Sequence, residues 1–204
     1  MGERGSRQPQ GGQAMLEFAL IVPVLMLVIV GIIEFALAFN ATLGVNRASQ
    51  VAALVAAEAG SLPGADCMIL QSIENDVNAP SDRSEITGVE IQRTNPSGVT
   101  VYARNKYVRS GVTNCTLSDG TSVSVPYTAT MTGYPASQRC SILKGCPTLT
   151  PSRSTVDTIG IQVSYAYRWR TPLAAIMQLV NGGGASGTTF AFDRRSAFRM
   201  EPQV

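Results

Sequence analysis

Two carboxylates stand where carboxylates are expensive. Glu17 precedes the run FALIVPVLMLVIVGIIEFALAF (residues 18–39), and Glu34 is the one charged residue inside it. A charged side chain at the centre of a bilayer costs roughly 2.5–3.5 kcal/mol, and less toward either edge. Glu17 is therefore a functional candidate by default, while Glu34 lies near the far end of the run, within reach of an interface. The other groups with reactive potential are four cysteines, Cys67, Cys115, Cys140 and Cys146, all after the apolar run. An even count confined to one side of an anchor fits disulfides in an oxidising compartment, and buried free thiols are the plainer alternative. Cys140 and Cys146 enclose a short loop and form the natural local pair, leaving Cys67 with Cys115, although four cysteines allow three connectivities. No histidine occurs anywhere. That removes the commonest general base, the Ser-His-Asp and Cys-His arrangements, and most zinc sites with histidine ligands. Asp119, Asp157 and Asp193 with several serines form no recognisable constellation, so an enzyme is disfavoured, and no metal or cofactor is expected.

The elements that must carry these residues follow from the pattern. Residues 1–12, MGERGSRQPQGG, show no apolar periodicity and read as a polar leader. The twenty-two residues of the run 18–39, apolar except for Glu34, span about 33 Å as a helix, enough for a hydrocarbon core of about 30 Å. Pro23 falls in its first turns, where it bends an axis without ending it. Arg4 and Arg7 precede the run and Arg47 alone follows closely, so the positive-inside rule puts the N-terminus in the cytoplasm. The helical pattern continues through ATLGVNRASQVAALVAAEA (41–59), with Val45, Ala48, Ala52 and Val55 on one stripe, until Gly60, Pro63 and Gly64 stop it.

Beyond Cys67 the period changes. A short helix is expected over 71–78, then strands Ile86–Arg93 and Val99–Tyr107 joined by the turn Asn95-Pro96-Ser97-Gly98. Thr121–Thr130 reads as a weaker strand, at an edge because of Pro126. Ile159–Trp169 alternates most clearly, with Ile159, Ile161, Val163, Tyr165, Tyr167 and Trp169 on the face to be buried. That aromatic stripe reads as core rather than as a ligand platform. Thr171-Pro172 opens a short helix through Val180, NGGGASG (181–187) links, and Thr188–Met200 returns as a final strand. The expected fold class is α+β: one long helix packed by its second half on an antiparallel sheet.

Gly12-Gln13-Ala14-Met15-Leu16-Glu17-Phe18 resembles the processing site of type IV pilin-like precursors. In particular, GQAMLEFALIVPVLMLVIVGIIEFALAF is similar to the N-terminal segment of TadE-like pseudopilins of tight-adherence (Flp) pilus systems. Thr171-Pro172-Leu173 and the closing Arg199-Met200-Glu201-Pro202 resemble them more faintly, and residues 65–155 resemble nothing. The likeness implies a prepilin peptidase that cuts between Gly12 and Gln13. It also implies that Glu17, beside Phe18, pairs with the new α-amino group of a neighbouring subunit during assembly, with Glu34 as a second assembly contact or an ordinary interfacial residue. Within one chain that amine lies one turn, about 6 Å, from Glu17.

The expected organisation is a cytoplasmic leader (1–12), a transmembrane helix (13–40), a helix extension (41–64) and an extracytoplasmic α+β domain (65–204). The partners implied are the prepilin peptidase, other pilin-like subunits, the pilus assembly machinery and the membrane. Nucleic acid is not among them, since the net charge is only +2 with no basic stripe. The function implied is that of a minor pilin, pseudopilin or assembly component, seated in the bacterial inner membrane. Two alternatives compete: a signal peptide cut after Ala36-Leu37-Ala38, and an unprocessed single-pass anchor. Either would leave a tethered or secreted binding module.

Overall fold

A computed structural model describes residues 11–78, 81–141, 156–172, 175 and 189–200. The first element, α1, is a single helix from Gly11 to Ala59 that passes through Pro23 without a break. At 1.5 Å per residue its 49 residues run roughly 73 Å. The two halves of α1 have different surroundings. Residues from Phe18 to Ile33 are apolar around the whole circumference, and the rest of the chain covers none of the most apolar window. The helix is long and apolar enough to cross a membrane. Its second half is striped instead: Ala41, Val45, Ala48, Ala52 and Ala56 are fully buried, at the three- and four-residue spacings that put them on one face.

A turn at residues 60–64 reverses the chain into α2 (Ala65–Asp76), which packs against α1. Gly64 takes φ +73° there, and a Cβ would meet the Thr116 carbonyl at 2.5 Å, so only glycine fits. α2 starts six residues before the expected 71–78 helix. Asp66 in its first turn suits the helix dipole, and Cys67 is bonded to Cys115 across a Cα–Cα distance of 6.3 Å.

The main sheet has strands β1 (Ile86–Thr94), β2 (Val101–Val108), β5 (Thr128–Thr132), β6 (Thr158–Arg168) and β7 (Thr189–Arg199), in the order β5-β2-β1-β6-β7, antiparallel throughout. A separate small sheet pairs β3 (Thr113–Thr116) with β4 (Ser122–Val125). The β1–β2 hairpin turns at Asn95–Gly98, with Gly98 at φ +73° and the Asn95 side chain accepting from the Val99 and Thr100 amides. The fold is therefore α+β, as the sequence pattern requires. One expected strand divides: Thr121–Thr130 becomes β4 and β5 in different sheets, because Pro126 has no N–H to continue a ladder. β3 has too little alternation to be read from sequence. Of the expected helix from Thr171-Pro172 through Val180, Thr171, Pro172 and Ala175 fall among the described residues, and Ala175 is helical; the 181–187 link lies outside them.

The core fills the space between the alanine stripe of α1, Ile69, Leu70 and Ile73 of α2, and one face of the sheet. Across β1 and β6, Val89 faces Val163 and Ile91 faces Ile161, all buried. Alanine on α1 lets its backbone come close to that face, and Ser49 reaches Ser196 of β7 at 2.9 Å. The opposite face of the sheet carries Glu90 with Arg104 and Lys106 at 3.3 and 3.5 Å and remains polar.

Candidate assembly and anchoring site

The processing residues lie at the start of α1. Gly12 is helical and exposed, with open space around it. Glu17 follows Gln13 by four positions, hence on the same helix face, among the exposed Met15, Leu16 and Phe18. A cut at Gly12 would thus leave an amine and a carboxylate on one side of a helix whose neighbours are apolar.

Glu34 is placed very differently. It is 1% exposed, and its carboxylate accepts the Tyr167 hydroxyl at 2.6 Å, the Arg170 amide at 3.0 Å and the Thr171 amide at 2.8 Å. Tyr167 ends the buried face of β6, and Arg170 and Thr171 follow that strand. The carboxylate therefore fastens the end of the sheet to α1 at the point where the helix passes from uncovered to covered. A buried acid is tolerable only with such donors. A signal for this exists in the sequence: Glu34 is in phase with Ala38, Ala41, Val45 and Ala48, and so belongs to the stripe facing the sheet rather than to the lipid-type run.

The same device recurs. The chain has six tyrosines, and five of them donate to a carboxylate: Tyr107 to Asp66, Tyr127 to Glu74, Tyr134 to Asp157, Tyr165 to Glu85 and Tyr167 to Glu34. In four of the five the acid lies on a helix or a 3-10 turn and the phenol on the sheet side. Burial, reinforced by the adjoining carboxylate, pushes the Tyr107, Tyr127 and Tyr165 hydroxyls well above the ordinary phenol range. Asp66 also receives Asn105 and the fully buried Arg139, which in turn donates to the Gly60 carbonyl at 2.7 Å and lies over the Tyr134 ring at 4.8 Å. Glu74 also pairs with Arg109. These phenol–acid bonds escaped sequence reading because each links positions at least 23 apart, and nothing local marks them. Tyr165 and Tyr167 are core, whereas Trp169 is half-buried at a groove edge.

Cys67 and Cys115 form one disulfide, joining α2 to β3. Cys140 is disulfide-bonded too, and Cys146 lies outside the described residues. Among the described residues no cluster of three or more Cys, Asp or Glu is disposed to hold a metal ion.

The start of the long helix, where Glu17 lies, is also what the comparison with known families picks out. Residues 12–54 match the family model described as TadE-like protein. The match begins at Gly12 and runs through the uncovered half of α1 and most of its alanine stripe, stopping before α2. The likeness is thus one of the N-terminal helix to TadE-like proteins, a family of tight-adherence (Flp) pilus systems. No curated protein and no solved structure matches the chain.

Proposed function

We propose that this TadE-like chain is a minor pilin, pseudopilin or assembly component of a Flp-type pilus, matured by a prepilin peptidase that cuts between Gly12 and Gln13. The observation that carries the proposal is the family match beginning at Gly12 and spanning a helix with Glu17 one turn inside an uncovered apolar surface. On this reading α1 sits in the bacterial inner membrane with its N-terminus cytoplasmic, and residues 65–204 form the extracytoplasmic domain. Its partners are the peptidase, other pilin-like subunits and the assembly machinery.

In a bundle of apolar helices, an ammonium from one subunit and the Glu17 carboxylate of the next offset part of each other's desolvation and select one register. Phe18, exposed beside Glu17, supplies apolar contact at the same level. Glu34 has a different part: it holds the outer domain to the anchor and so fixes how that domain is presented to other subunits. Glu17→Gln is the direct test, with membrane insertion and recovery in the sheared pilus fraction measured together. The variant is expected to insert normally and enter pili poorly. Entry equal to that of the wild type would contradict the role given to Glu17.

A further inference from the structure

A groove of about 610 Å³ opens between α1 and the anchor-side end of the sheet, a size within the ~300–1,000 Å³ typical of small-molecule sites. Its helix wall runs from Gly31 to Thr42, about 16 Å along the axis. Phe35, Phe39, Trp169 and Phe190 give it an apolar lining, and Arg194 is the one cation among the described lining residues. Phe35 is 73% exposed, and Phe39 and Phe190 are each 55% exposed. Groove and lipid-type helix surface are continuous, since Ile32 and Phe35 are exposed side by side with Gly31.

The groove has a direction. The bonds from Glu34 to Tyr167, Arg170 and Thr171 hold the end of β6 beside the last turns of the apolar run. Phe190 pairs with Tyr167 at that end, and Arg194 pairs with Val163, four strand residues or about 13 Å farther from the anchor. The aromatic end therefore lies where the apolar run ends, and Arg194 lies beyond it, its guanidinium over the Phe192 ring at 5.3 Å and sharing the groove wall with Thr42. Aromatic rings at that level and a cation just above it match the polarity of a bilayer leaflet. The one acid in the lining, Glu34, is already covered by its three donors and presents no free anion to the groove.

We infer that this groove holds a phospholipid of the outer leaflet, with an acyl chain against Phe35, Phe39, Trp169 and Phe190 and an anionic headgroup on Arg194. The inference rests on the reading of α1 as a membrane anchor. The bound lipid would seat the outer domain on the membrane surface before the subunit leaves it.

Trp169 is the only tryptophan in the chain, so its fluorescence reports this groove alone. The full-length protein is reconstituted in vesicles of phosphatidylcholine containing a fraction of acyl-brominated phosphatidylcholine or acyl-brominated phosphatidylglycerol, and vesicle flotation is measured on the same samples. The expected result is quenching by both brominated lipids, at least about twofold stronger with the anionic one, the preference being lost in Arg194→Gln and kept in Arg194→Lys. Equal quenching by the two lipids in the wild type would overturn the headgroup assignment. Floating protein with unquenched Trp169, whether a second subunit or residues 173–188 cover the groove, would overturn the lipid site while leaving the anchor reading intact. Protein that fails to float would remove both.

Discussion

The two halves of α1 are one continuous helix built on opposite principles. From Phe18 to Ile33 large apolar side chains stand exposed on every side of the helix, whereas Ala41, Val45, Ala48, Ala52 and Ala56 face the sheet and are fully buried. The first half, on the proposed reading, finds its solvent outside the molecule, in lipid or in neighbouring helices. The second half finds it in its own core. The family match covers both halves yet ends before the sheet, so the likeness to TadE-like proteins is one of the helix and not of the α+β domain. Glu34 marks the switch: by position it belongs to the apolar run, by phase to the buried stripe.

That contrast can be broken or sharpened by substitution, with thermal unfolding of the α+β domain in detergent as the common readout. The largest effect is expected deep in the covered region. Arg139→Ala strips a fully buried cation from Asp66, the Gly60 carbonyl and the Tyr134 carbonyl, and should cost about 3–5 kcal/mol. Next, Ala52→Leu forces a large side chain between α1 and the sheet and should cost about 1–3 kcal/mol. Glu34→Gln keeps an acceptor but removes the charge received by three donors, and a loss of about 1–3 kcal/mol is expected. Leu25→Ala, in the uncovered half, should leave the same transition unchanged within about 0.5 kcal/mol. A loss from Leu25→Ala as large as that from Ala52→Leu would erase the distinction between the halves.

The phenol–acid pairs add a smaller, pH-dependent difference. Folded-state phenol pKa values are raised, so the stabilisation is fully present below the unfolded value of about 10 and is lost as pH rises through the folded values. Circular dichroism followed together with tyrosinate absorbance should show the outer domain intact to about pH 10 and the buried phenols ionising only as it unfolds. Ionisation of Tyr107, Tyr127 and Tyr165 at the ordinary pH with structure retained would contradict their burial.

How much of this was legible in the sequence follows from how local each cause is. The apolar run, the alanine stripe, the Asn95–Gly98 hairpin and the alternation of Ile159–Tyr167 are written in neighbouring residues, and the structure has each of them. The split at Pro126 is half legible: proline marks an edge, and β5 is an edge strand, but it also separates two sheets. The start of α2 depended on a turn at Gly64 and a bond from Cys67 to a residue 48 positions away, neither of which has a periodic signature. The partners of Glu34 lie more than 130 positions along the chain. Only its phase with Ala38, Ala41 and Val45 hinted that it turns inward. Glu17 had the opposite character, since everything proposed for it comes from residues within one helical turn.

The central claim is that severing the backbone after Gly12 creates the cation that Glu17 receives in assembly. Mass spectrometry of the first residue of protein purified from its own host, with the prepilin peptidase present and deleted, tests this most directly. The account predicts a chain starting at Gln13 when the peptidase is present and one retaining the leader when it is absent. Protein that begins at Met1, Gly2 or Phe39 in peptidase-competent cells would contradict it.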